Sequence, residues 1–128
     1  MTDSGDGANR EFRPEARFFL HRALRLTQLN LEREGHVTGT ELLEGFRMLA
    51  LSEFGPMARV VLDFWDIRST DDVGEMVRAL VHSGEWGRRE EDSWEEFHAA
   101  WDFERVFDTD YPWNVREALN LSGEAPRG

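Results

Sequence analysis

The sequence predicts one α+β domain, mostly helical, in which a four-helix core is followed by a C-terminal β-hairpin. Three observations carry this prediction. A chain of 128 residues has room for one hydrophobic core. Four segments between residues 14 and 84 repeat apolar residues every three or four positions, which is the period of an amphipathic helix. Beyond Gly84, apolar and polar residues alternate, as they do in a half-buried strand.

The two ends of the chain differ from its middle. Residues 1–12 and 122–128 are rich in small and polar residues and have no apolar period. We therefore expect two disordered tails around a single globular domain of residues 13–121.

The first two helices have clear predicted boundaries. Pro14 suits the first turn of a helix, and Gly35 ends an apolar stripe that predicts a helix over residues 14–33. Thr38 and Glu41 then form a capping-box pattern, in which each side chain accepts a hydrogen bond from the backbone N–H of the other residue. The second helix is therefore predicted to begin at this box and to end at Gly55.

The third and fourth helices follow directly. The third is expected to be short, central and buried, ending near Asp66, because its apolar residues fill two adjacent stripes: Met57, Val60, Val61, Phe64 and Trp65. Ser69 or Thr70 is predicted to cap the fourth helix, which Gly84 ends. Gly74 lies inside that helix and suggests that another backbone passes close by.

Residues 86–103 admit two interpretations. Apolar and polar residues alternate from Phe97 to Phe103, which favours a hairpin with residues 90–93 at its tip. A helix competes with the hairpin, because Ser93 and Glu96 form a second possible capping box and three aromatic residues also have helical spacing: Trp94, Phe97 and Trp101. We favour the hairpin because the alternating run is longer. A last short helix is expected over residues 102–107.

Composition excludes several classes of protein. The chain has no cysteine, which rules out disulfides, thiolate nucleophiles and sulfur-ligated zinc. No segment approaches the roughly 18 consecutive apolar residues of a membrane span, and the N-terminal residues do not follow the order of a secretory signal. We therefore expect a cytoplasmic protein with no membrane partner.

One long block of the sequence resembles a known family. Residues 36–47, with the Leu49–Leu51 and Phe54–Pro56 segments after them, look like the Minf-type family of hypothetical bacterial proteins. Further similar positions follow: Val61, Leu62, Trp65, Ile67, Ser69, Thr70, Asp72, Gly74, Glu75, Val77, residues 91–93 and residues 102–104. The resemblance covers roughly residues 13–107 and departs from the family at Trp86, at Trp94 and at the extension after Phe107. It implies a bacterial protein of an uncharacterised family and supplies no activity.

The sequence carries no recognisable catalytic, cofactor or metal motif. The four histidines are far apart, and none belongs to a His-Glu-x-x-His pair that would place two imidazoles on one helical face: His21, His36, His82 and His98. No glycine-rich phosphate loop follows a strand, and no serine lies on a Gly-x-Ser-x-Gly elbow. We expect no cofactor and no metal, and an enzyme with an unrecognised acid/base site is the second alternative to the function proposed below.

Charge is unevenly distributed along the chain. The net charge is −11, yet residues 10–33 hold six arginines against three glutamates. A candidate basic face lies on the first helix: Arg17, His21, Arg22 and Arg25. This face suits RNA or an acidic protein, or it pairs with the acidic body of the same chain. Helices followed by a hairpin are the order of a winged-helix domain, so a winged-helix-like nucleic-acid-binding regulator is the first alternative function. The acidic start of the fourth helix disfavours duplex DNA.

The five tryptophans indicate a binding surface. Tryptophan and arginine are enriched where proteins bind one another. A candidate partner surface on the predicted hairpin comprises Trp86, Arg88, Arg89, Trp94 and Trp101. Alternatively, Trp86 and Trp101 cover each other across the hairpin. The sequence therefore predicts a non-catalytic protein-interaction or adaptor module with a protein partner.

Overall fold

Four α-helices form the fold in the computed structural model, which describes residues 11–33, 35–87 and 91–109. They are α1 (Pro14–Leu31), α2 (Gly39–Phe54), α3 (Ala58–Phe64) and α4 (Thr70–His82). A 3-10 turn at Gly55–Met57 joins α2 to α3, and the chain continues after α4 into a 3-10 helix at Glu91–Phe97 and a π-helical turn at Arg105–Thr109.

The helices α1 and α2 form an unusually close pair. Pro14 occupies the first turn of α1, and the helix ends at Glu32 in a left-handed conformation. A Cβ atom at position 45 of α2 would overlap the hydroxyl oxygen of Thr27 and lie 3.2 Å from the carbonyl oxygen of Ala23. That hydroxyl is buried and donates to the Ala23 carbonyl at 2.7 Å. Glycine at position 45 therefore allows the two backbones to approach.

The predicted capping box at the start of α2 is confirmed. The N–H of Glu41 donates to the Thr38 hydroxyl at 3.0 Å, and the N–H of Thr38 donates to the Glu41 carboxylate at 2.8 Å. The helix ends at Gly55, as predicted, with a φ of 54°. Leu42, Leu43 and Phe46 are fully buried on its inner face.

The prediction that α3 is central and buried is wrong. Only Ala58 and Leu62 of this helix are buried. Large apolar side chains on its opposite face are exposed, because α3 is a two-turn helix that packs against α2 and the π-helical turn on one side only. Trp65, just beyond its end, packs inward against Phe19 and Phe54 at ring-centroid distances of 5.6 and 5.7 Å.

The helix α4 begins where the sequence predicted. Its cap is Ser69, whose hydroxyl accepts from the N–H of Asp72 at 3.1 Å. Gly74 meets the side chain of Phe97 rather than another backbone, since a Cβ there would lie 2.7 Å from the Phe97 Cβ. A Cβ at Gly39 would also meet this ring, at 3.1 Å. Phe97 is therefore seated between the first residue of α2 and the fifth residue of α4.

The predicted C-terminal hairpin is absent. The described residues contain no β-strand, so neither the α+β class nor the winged-helix-like arrangement is correct, and this part of the chain is helical. Residues 91–97 take the helical alternative, in a 3-10 helix. A short helical element does follow, although as a π-helical turn at Arg105–Thr109 rather than over residues 102–107.

Side chains of α4 explain why this segment needs no strand partner. The Thr70 hydroxyl donates to the Phe97 carbonyl at 2.7 Å and accepts from the N–H of Ala100 at 3.0 Å. Asp71 accepts from the N–H of Ala99 at 3.2 Å. These bonds satisfy backbone groups that a β-ladder would otherwise have to pair.

Among the described residues the core is one cluster, to which all four α-helices contribute. It includes Phe12, ahead of α1, and Phe103 and Phe107, near the end of the described chain. None of the described helices is both long enough and apolar enough to cross a membrane. Most of the expected N-terminal tail and all of the expected C-terminal tail lie outside the described residues.

Candidate functional site

The tryptophans of the predicted partner surface have different neighbours. Trp86 is half-buried and donates its indole N–H to His21 at 2.9 Å. Trp94 is half-buried beneath the guanidinium of Arg78, whose Cζ atom lies 4.4 Å from the ring centroid. Trp101 stacks on Phe103 at 5.4 Å. These side chains pack against the core rather than across a hairpin, and the two remaining members, Arg88 and Arg89, lie outside the described residues.

The candidate basic face is largely neutralised by the acidic body. Arg17 pairs with Glu85 at 3.3 Å, and Arg22 pairs with Glu53 at 2.9 Å. The hydrogen bond from Arg22 holds the pKa of Glu53 below its ordinary value, so this carboxylate is charged at neutral pH. Arg25 is exposed and forms no ion pair with any described residue. Binding of RNA through this face stays a prediction, and two of its three arginines would have to leave their carboxylates.

The exposed apolar side chains of α3 and of the 3-10 turn before it form one stripe. Met57, the last residue of that turn, is 53% exposed, and Val60 and Phe64 of α3 are 58% and 64% exposed, whereas most large apolar residues of the described chain are buried. Their spacing of three and then four residues is that of one helical face. We call these three residues the α3 stripe. It is an apolar surface that nothing in the described structure covers.

Arg13 forms one end of the α3 stripe. Its guanidinium carbon lies 4.4 Å from the centroid of the Phe64 ring, and its Nε donates to the Phe64 carbonyl oxygen at 3.3 Å. The cation therefore holds the aromatic ring in place while leaving much of it accessible. An arginine stacked on an exposed aromatic ring is a combination frequently found at protein interfaces.

Charged groups border the α3 stripe. Arg68 lies between two carboxylates, at 2.6 Å from Asp63 and 3.1 Å from Asp66. Arg59 pairs with Asp108 of the π-helical turn at 2.7 Å. An apolar centre with a charged and exposed border is the usual arrangement of a protein-binding surface.

Sequence reasoning missed this site for an identifiable reason. Apolar residues on two stripes of a helix predict burial on both. A helix of two turns that is joined closely to its predecessor, however, can present only one side to the core. The sequence did contain a signal of this exposure. The segment carries two apolar stripes, and a helix with one contact face needs only one of them to be buried.

Within the part of the chain that the structure describes, polar side chains do not converge in an arrangement that suggests catalysis. No group of three potential metal ligands occurs within the described residues. A cavity of about 340 Å³ lies between α1, the loop before α2 and the loop after α4. Its lining residues are Leu24, Gln28, Gly35, His36, Val37, Glu85, Trp86 and Gly87.

Comparisons with protein-family models, curated proteins and solved structures add nothing to this geometry. None of the three finds a match to the chain. The resemblance to the Minf-type family therefore stays a prediction, and any functional conclusion depends on the surface described above.

Proposed function

We propose that this chain is a non-catalytic protein-interaction module that binds a basic amphipathic helix of a partner protein through the α3 stripe. The observation that carries the proposal is the exposure of Met57, Val60 and Phe64 on one helical face. Burying such side chains against a partner contributes about 25 cal/mol for each Å² of apolar surface removed from water.

The shape of the α3 stripe suits a helix. Its members span eight residues, 57–64, or about 10 Å at the rise of an α-helix. Amphipathic helices recognise such surfaces with apolar side chains repeated every three or four residues. The Phe64 ring, held under Arg13, is the aromatic anchor that we expect to contribute most to binding.

Charge favours a basic partner. The groups beside the α3 stripe balance, with three arginines against three aspartates, but the chain as a whole has a net charge of −11. A basic partner would approach the chain under long-range electrostatic attraction, whereas a second copy of the same chain would be repelled. We therefore favour a basic helix over self-association.

A designed peptide tests this proposal. The probe is a fluorescent amphipathic helix of leucine and arginine, about 18 residues long, whose binding is followed by anisotropy near physiological salt. We expect Val60→Asp to weaken binding at least about tenfold, because it places a desolvated charge in the interface. A peptide of the same composition in scrambled order should also bind at least about tenfold more weakly.

Leu29→Asp is the matched control. Leu29 is 58% exposed, as is Val60, and it lies on α1 away from the stripe. Its substitution should leave the affinity unchanged within about twofold. Equal binding of the ordered and scrambled peptides, equal losses in the two variants, or no binding at all would contradict the proposal. Circular dichroism of each variant confirms that it is folded.

A further inference from the structure

A hydrogen bond between two side chains fixes the protonation state of His21. The indole Nε1 of Trp86 donates to the Nδ1 of His21 at 2.9 Å, and the two rings meet edge to face at 5.4 Å. An indole N–H is a donor and never an acceptor, so the Nδ1 atom must carry no proton. The neutral imidazole therefore has its hydrogen on Nε2.

The second imidazole nitrogen faces a carboxylate. Nε2 of His21 lies 3.5 Å from Oε1 of Glu85, whose other oxygen is 3.3 Å from Arg17. Glu85 and Trp86 belong to the loop that follows α4, so His21 contacts that loop through both of its ring nitrogens. The backbone N–H of Trp86 also donates to the Leu80 carbonyl at 3.1 Å, which fixes the start of the loop to its own helix.

We propose that His21 and Trp86 form a pH-sensitive latch between α1 and the loop after α4. Uptake of one proton at Nδ1 would leave two N–H donors facing each other, and the indole must then turn away. The imidazolium would keep its contact with Glu85 as an ion pair. After protonation, the ion pair with Glu85 holds the loop on α1 in place of the hydrogen bond from Trp86. No covalent bond forms or breaks.

Charges of both signs surround this imidazole. Glu85 is the acidic neighbour of the imidazole, and two basic residues, Arg17 and Arg25, lie one turn before and one turn after His21 on α1. On α4, His82 is exposed and ends the helix from which the loop departs, so it is a second imidazole close in sequence to the latch.

The latch controls one wall of the cavity. Trp86 lines the cavity of about 340 Å³ together with Leu24 and Val37. When the indole turns away, this wall moves and the cavity changes shape. The device is independent of the α3 stripe, so either proposal can fail without the other.

Nuclear magnetic resonance of the indole N–H groups tests the latch in the full chain. The signal of Trp86 is assigned as the one that Trp86→Phe removes. Between about pH 8 and pH 5, we expect solvent exchange of this indole, corrected for the intrinsic rate, to accelerate at least about tenfold. Solvent exchange of the Trp65 indole, which lies in the aromatic cluster with Phe19 and Phe54, should not accelerate over this pH range.

Two variants separate the latch from a general effect of acid. His21→Gln keeps an acceptor at this position but cannot be protonated, so the pH dependence of the Trp86 signal should disappear. His82→Gln, on α4, should retain it. The proposal is wrong if the Trp86 signal does not change with pH in the parent chain. It is equally wrong if His21→Gln and His82→Gln have the same effect on the pH dependence of the Trp86 signal. Parallel acceleration of exchange at the Trp65 indole would also contradict it.

Discussion

At the scale of single residues, the contact between Gly45 and Thr27 decides how closely α1 and α2 approach. Gly45→Ala would force a methyl group against the buried Thr27 hydroxyl and the Ala23 carbonyl, both of which belong to the close face of α1. Overpacking of this kind costs roughly 1–3 kcal/mol. We expect the free energy of unfolding, measured by urea denaturation, to fall by that amount.

The control for this substitution is Gly87→Ala. A Cβ at Gly87 meets no atom within 4 Å, and the residue does not have a positive φ. The change should alter the free energy of unfolding by no more than about 0.5 kcal/mol. Similar losses in the two variants would show that the close approach of α1 and α2 does not explain Gly45.

Sequence reasoning reached these glycines only in part. A glycine inside a helix indicates close packing, and at Gly45 the structure shows that packing. At Gly74 the same argument predicted a backbone, whereas the neighbour is the Phe97 side chain. A glycine reveals that space is needed, but the group that fills the space is fixed by tertiary contacts that no local pattern encodes.

At the scale of elements, Thr70 holds the 3-10 helix against α4. Thr70→Val preserves the shape of the side chain but removes the buried hydroxyl that bonds both the Phe97 carbonyl and the Ala100 N–H. Loss of such a buried hydrogen-bonding partner costs roughly 1–3 kcal/mol. We expect the urea midpoint to fall accordingly, with hydrogen exchange at the Ala100 amide accelerated.

Thr40→Val is the control for the contact between Thr70 and the 3-10 helix. Thr40 is exposed on the first turn of α2, and the substitution makes the same chemical change. Its effect on the urea midpoint should be small, since the lost hydroxyl lies in water. If the two valine variants were equally stable, the hydroxyl of Thr70 would not be what holds the 3-10 helix.

Helix boundaries were predictable because their causes are local. The capping box at Thr38 and the serine cap of α4 each depend on residues within one turn. The hairpin was wrong because alternation between Phe97 and Phe103 says nothing about which groups pair the backbone. Here Thr70 and Asp71, distant in sequence, supply those partners.

At the scale of the whole molecule, carboxylates paired with arginine make stability depend on acid. Hydrogen bonds from Arg33, Arg47 and Arg22 hold the pKa values of Glu41, Glu44 and Glu53 below the ordinary 4.5. A carboxyl whose pKa is lowered by folding contributes stability above its unfolded pKa, and this contribution is lost as the pH falls through the folded value. The arginines stay charged throughout.

We therefore expect the urea midpoint to decline as the pH falls below about 4.5. Glu41→Gln should lower the midpoint at pH 7 and flatten this decline, because Glu41 accepts both from Arg33 and from the N–H of Thr38. Glu95→Gln is the control, since Glu95 is exposed and its carboxylate forms no ion pair with any described residue. Parallel acid profiles for the parent chain and Glu41→Gln would exclude this carboxylate as a source of the dependence.

The uneven distribution of charge was visible in the sequence, but the partners of the basic residues were not. A basic segment on an acidic chain suits either an external ligand or internal pairing, and the sequence left both open. The contacts of Arg17 with Glu85 and of Arg22 with Glu53 depend on which loop and which helix end the fold places beside α1. The exposed face of α3 depends in the same way on how many neighbours surround it.

The seat of Phe97 between Gly39 and Gly74 also bears on how the protein is made. Both glycines leave the ribosome before the phenylalanine that fills the gap between them. Until then, a folded α2 and α4 would lack the side chain that fills the space between them. A chain arrested before Phe97 should therefore be a better substrate for chaperones than the finished protein.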